Sequence, residues 1–190
     1  MPKKYIIFSP SYNETSGGSI VLHKLCSTLN SLGYESYLYP HFESYQSVSF
    51  YHSEKRNKVI LFLRYLFIRL NGIIRNYKVN SSFNTPLFNS SKIIDDNFIV
   101  IYPEIVVGNP LKAKNVVRWL LHNPGFHIPA ICYGRNELYF KFNSAIKDFN
   151  FPGSETSFNF LKVIHYPLEY YNTESVTERH GSAYSIRKGV

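Results

Sequence analysis

The sequence predicts an α/β fold, a parallel β-sheet flanked by helices, and three observations carry that prediction. Tyr5–Pro40 (YIIFSPSYNETSGGSIVLHKLCSTLNSLGYESYLYP) reads as one strand–helix–strand unit. Further apolar runs of strand length follow in NFIVIY, VVRWLLH and LKVIH. Helical and turn segments separate these runs, the order expected of parallel strands joined by crossovers. A chain of 190 residues, 44% of them hydrophobic, can bury the core of one domain or a little more.

The elements follow in chain order. Tyr5–Ser9 is a short apolar strand and Pro10–Ser16 a polar loop. Gly17–Gly18–Ser19 leads onto a helix capped by Ser16 or Ser19. Val21, Leu22, Leu25, Cys26, Leu29 and Leu32 fall on one face of that helix. Gly33 stands where a left-handed residue ends a helix, and Glu35–Tyr39 is the second strand. His41–Ser53 is a polar, aromatic connection. Glu54–Lys78 reads as one long helix with Arg64, Asn71, Arg75 and Lys78 on one stripe and Leu63, Leu66, Phe67, Leu70, Ile73 and Ile74 opposite. Arg69 falls among its apolar residues, and Gly72 weakens it by about 1 kcal/mol relative to Ala. Val79–Ser91 is a loop rich in Asn and Ser. Asn97–Tyr102 is a buried-type strand closed by Pro103, and Val106–Asn115 is a loop or short helix. Val116–His122 is a strand ended by the Asn123–Pro124–Gly125 turn. Leu138–Phe142 and Leu161–His165 are the remaining strands, Tyr170–Gly181 is linker-like, and Ser182–Arg187 opens a new element.

Composition removes several function classes. The net charge of +8 favours an anionic partner, whether a phosphorylated substrate, an anionic lipid or a nucleic acid. Nucleic acid ranks last, because no helix-turn-helix, zinc-finger, RNP or KH signature is present. Cys26 and Cys132 lie far apart with no Cys/His cluster, which points to reduced thiols in a cytosol and to no zinc site. MPKKYIIF lacks the long apolar core of a signal peptide, and Val59–Leu70 is too short and too charged to span a bilayer. There is no P-loop, G-x-S-x-G elbow, H-E-x-x-H or D-x-D motif.

Ligands of parallel sheets bind beyond the C-terminal strand ends, so Ser9–Gly18, Tyr102–Glu104, His122–Gly125 and His165–Tyr166 are the residues of interest. The glycine pair admits two readings: it lets an anion approach free helix N–H groups, or it serves a tight turn that needs glycine for packing. His23 reads more readily as a helix-flank residue that packs than as a catalytic one. Glu104 is either a base or sugar-hydroxyl ligand, or a solvated partner of Arg118 or Lys112. His122 either faces a ligand or is a satisfied strand-end residue. The basic helix 54–78 either meets anionic lipid or presents a solvated charged face.

Three blocks carry a resemblance. GGSIVLHKLCSTLNSLGYESYLYP is similar to the opening of GT-B-type glycosyltransferases, where a glycine pair precedes a His-bearing helix. DNFIVIYPEIVVGNPLKAKNVVRWLLHNPG resembles their bacterial capsule and O-antigen branch, and Phe160–Gly189 resembles the crossover into their second domain. The resemblance implies two Rossmann-like domains facing across a cleft, the first for the acceptor and the second for most of the donor. Residues 1–169 would be the first, 170–181 a linker and 182–190 the start of a truncated second. Gly17, Gly18 and Ser19 would lie against the donor phosphates, and Arg187 and Lys188 would neutralise the diphosphate. Glu104 and His122 would serve catalysis at the transferred sugar. The substrates would be a nucleotide sugar and a lipid-linked glycan acceptor, with no metal and no separate cofactor, at the cytoplasmic face of the membrane. With the donor domain missing, little or no transfer is expected from this chain alone. The competing expectations are a non-catalytic membrane-surface or partner-binding module and the remnant of a disrupted gene.

Overall fold

The computed structural model describes residues 2–41, 77–89, 93–128, 131–168, 172–174, 178 and 181–182. In chain order these form β1 (Lys4–Ser9), α1 (Gly17–Ser31), β2 (Glu35–Pro40), β3 (Phe98–Pro103), β4 (Asn115–Leu120), β5 (Leu138–Lys141) and β6 (Glu155–Thr156). The six strands make one sheet in the order β2-β1-β3-β4-β5-β6, with every pair parallel. The expected α/β parallel sheet is therefore present.

Side chains alternate across the sheet, as strand geometry requires. Ile6, Phe8, Phe98, Val100, Tyr102 and Val116 form one core with Phe88 and Val106. Ile7, Ile101 and Trp119 form the other with Leu22, Leu25 and Cys26 of α1. Helix α1 ends as its sequence predicts. Leu32 is the cap, Gly33 has φ +84, and the Gly33 and Tyr34 amides donate to Asn30 and Leu29 carbonyls. This is a Schellman closure, which only a residue tolerant of positive φ completes without strain. Leu32, expected on the buried face, is exposed because the helix has already ended there.

Four expectations need correction. Flanking helices were expected along the sheet, yet among the described residues only β1 and β2 are joined by one, and 106–115 takes the loop reading rather than the short helix. The β3–β4 connection is irregular chain, held by buried polar bonds instead of a helical ladder. Tyr102 Oη donates to Asn109 Oδ1 at 3.0 Å and accepts from the Leu111 amide at 3.0 Å. Asn109 also bonds both backbone groups of Ala113, at 3.0 and 2.7 Å. Leu161–His165 is not a strand. It lies over the sheet, with Leu161 and Val163 packed on the Trp119 core and the Leu161 carbonyl accepting from Trp119 Nε1 at 2.8 Å. The sixth strand is instead the two-residue β6. Strand β4 stops at Leu120, so His122 lies two residues past it. Tyr77 and Lys78, the expected end of the long helix, are irregular; the rest of that helix falls outside the described residues, as do Arg187 and Lys188.

Candidate functional site

The strand order places β1 between β2 on one side and β3 on the other, so chain connections leave β1 and β3 in opposite directions. A crevice opens at such a switch point beyond the C-terminal strand ends. Here it is a cleft lined by the loop 10–16, the start of α1, Lys78, Glu104, Leu121, His122 and His127. Gly17, Gly18, Ser19, Glu104 and His122 thus converge on one cleft from three parts of the chain. His165 does not line it; its ring meets Phe83 edge-on at 4.9 Å.

The loop after β1 is rigidly tied. Ser19 Oγ donates within reach of the Asn13 and Ser16 carbonyls, at 2.9 and 3.1 Å, and accepts from the Asn13 amide at 3.0 Å. Ser16 is the N-cap, its side chain accepting from the Ser19 amide. Ser19 is therefore buried and its hydroxyl engaged inside the loop. From below, Tyr77 Oη lies 3.2 and 3.1 Å from the Ser9 and Pro10 carbonyls and 3.3 Å from His23 Nε2. Lys78 joins the loop through both backbone groups, its amide donating to Ser11 Oγ at 2.8 Å and its carbonyl accepting from the Tyr12 amide at 2.9 Å.

Gly17 and Gly18 are the first two residues of α1, where helix amides have no intrahelical partner. Neither has positive φ. A Cβ on Gly17 would meet nothing within 4 Å, and one on Gly18 only Leu121 Cδ1 at 3.9 Å, an ordinary contact. Packing and backbone conformation therefore demand glycine at neither position. What the pair does provide is a bare helix N-terminus facing the cleft.

Glu104 sits just past β3, and its Oε2 accepts from the Leu121 amide at 3.0 Å. Burial raises its pKa above the usual carboxyl value, and the backbone amides around it only partly oppose that. The expected partner Arg118 is engaged elsewhere. His122 Nδ1 accepts from the Asn123 amide at 2.8 Å, which places the ring proton on Nε2 as a donor. His23, expected to be a flanking residue, is fully buried between Tyr12 and Tyr77 and underpins the loop.

Sequence reasoning missed three features. Lys78 contributes a cation to the cleft wall; its place on a predicted helix concealed this. His41 closes the end of β2 against Phe8, and burial lowers its pKa to about 4. Arg118 and Glu137 form a fully buried pair, Nε–Oε2 3.0 Å and Nη2–Oε1 2.8 Å. The same guanidinium donates to the Val106 and Gly108 carbonyls at 2.6 and 2.9 Å and lies over the Tyr133 ring at 4.4 Å. An Arg inside a strand facing a distant Glu was the available signal.

Among the described residues no group of acidic, His and Cys side chains is placed to hold a metal ion, and no helix is long and apolar enough to cross a membrane. No family model matches the chain, and no curated protein or solved structure is significantly similar to it.

Proposed function

We propose that the chain is the acceptor-side, Rossmann-like domain of a GT-B-type glycosyltransferase that builds a bacterial surface polysaccharide. The observation that carries this reading is the bare N-terminus of α1 in the same cleft as Glu104 and His122. Two glycines that the fold does not require make sense if an anion must approach the backbone. A nucleotide-sugar diphosphate is such an anion, and the chain carries a net charge of +8.

The chemistry follows from the side chains present. The leaving diphosphate gains negative charge, which the Gly17 and Gly18 amides, the dipole of α1 and the Lys78 ammonium would offset. His122 Nε2–H would donate to a sugar hydroxyl. Glu104, its pKa raised, would exchange a proton with the acceptor hydroxyl. A parallel-sheet domain offers one wall of such a cleft; transfer would need a second domain opposite it.

Deletion of the gene is expected to abolish one sugar-transfer activity from nucleotide sugars to lipid-linked glycan in membrane fractions of the host. Restoring the wild-type gene should recover it, and Glu104→Gln should leave about 1% or less, the scale of a lost general acid–base group. If every such transfer persists in the deletion strain, the proposal fails.

A further inference from the structure

The turn after β4 holds an aromatic ring out beside His122 and His127, two residues that line the cleft. The Phe126 amide donates to the Asn123 carbonyl at 3.2 Å, Pro124 occupies the second turn position and Gly125 has φ +86 at the third. This is type II turn geometry, which fixes the chain direction into Phe126. Asn123 is anchored on both sides, through its amide to His122 Nδ1 and through Oδ1 to the Lys147 amide at 2.9 Å. The Phe126 ring stacks on His122 at 3.9 Å between centroids with a 29° interplanar angle, and His127 meets it edge-on at 4.9 Å. Phe126 nevertheless remains 63% exposed. An exposed Phe alone is ordinary. One that is held by a turn and stacked on His122, a ring that lines the cleft with Glu104, is a preorganised platform.

We propose that Phe126 with His122 is a stacking platform for a neutral sugar ring of the acceptor. This deepens, and rests on, the transferase reading. A pyranose has a C–H face that suits the electron-rich face of a Phe ring, and hydroxyls around its edge. His122 Nε2–H can donate to one hydroxyl. Glu104, whose carboxyl group is tied to the neighbouring Leu121 amide, can bond a second. The platform therefore sets which face of the acceptor sugar enters the cleft, and Phe126 acts as a specificity residue.

Saturation-transfer NMR on the full chain tests this with methyl β-glucoside, methyl β-galactoside, methyl α-rhamnoside and uridine as probes. At least one glycoside should receive saturation on its C–H face. Its affinity should fall about fivefold in Phe126→Ala and recover in Phe126→Tyr, in line with the worth of one aromatic stack. Affinity unchanged in Phe126→Ala, saturation of no glycoside, or a Phe126-dependent response from uridine alone each overturns the platform. A parallel titration with UDP and GDP, read at the Gly17 and Gly18 amides, reports on the transferase reading separately. Nucleotide response without a Phe126-dependent glycoside leaves the transferase reading standing and the platform refuted. The converse leaves a sugar site on a protein that is not a nucleotide-sugar transferase.

Discussion

His41 and the Arg118–Glu137 pair show what single residues contribute here. His41 is buried, and its pKa falls from 6.5 to about 4. Between these values the unfolded chain holds a proton that the folded chain does not. The His41 contribution is thus complete above about pH 6.5 and is lost as pH falls toward 4, about 3 kcal/mol in all. His23, also lowered by burial, adds in the same direction. Urea unfolding should show stability falling more steeply from pH 7 to 4.5 in the wild type than in His41→Phe. Equal slopes would contradict the burial argument. At the other pole, Arg118→Met leaves the Glu137 carboxylate buried without its partner and two loop carbonyls without a donor. A loss of about 3–5 kcal/mol is expected by chemical denaturation, with partial recovery when Glu137 is also replaced by Met. Neither role was legible in sequence. Arg118 looked like a partner for Glu104, because nothing in a one-dimensional pattern shows that Glu137 meets it from just before β5.

Helix α1 shows which parts of an element sequence can disclose. Its apolar stripe, a serine cap at 16 or 19 and its Gly33 terminus were readable, because each depends on local spacing or on a local dihedral; the fold takes Ser16. Ser19, His23 and Ser27 were not, although they also recur at helical spacing and are buried. A stripe of small polar groups and one imidazole resembles a solvated face until the residues covering it are known. Here those residues come from Lys78 and its neighbours: Tyr77 reaches His23, and the Asn84 amide donates to Ser27 Oγ at 3.2 Å. The apolar run at 161–165 misled for the opposite reason, since its alternating side chains pack onto the Trp119 core while its backbone meets β5 through a single bond, Leu161 amide to Lys141 carbonyl at 3.1 Å, too little for a strand. Gly33→Ala, placing a Cβ at φ +84, should lower stability by about 1 kcal/mol in a thermal melt, whereas no change would argue against the Schellman closure.

At the scale of the molecule, the parallel sheet and its strand order bring distant segments to one edge. The predicted strand ends named Pro10–Gly18, Glu104 and His122 of the cleft in advance, because ligands of such sheets collect there whatever the chemistry. Lys78 and His127 required the tertiary arrangement, as did the Phe126 ring stacked on His122. In the proposed function, α1 receives a nucleotide diphosphate at glycines the fold does not need. The most direct test is calorimetric titration of UDP and GDP into the wild type and Gly17→Ala, beside their thermal melts. Binding should weaken about tenfold in the variant, the worth of one hydrogen bond to a charged group, while the melting temperature stays level or rises. Absent binding, or equal affinity in both proteins, would contradict it.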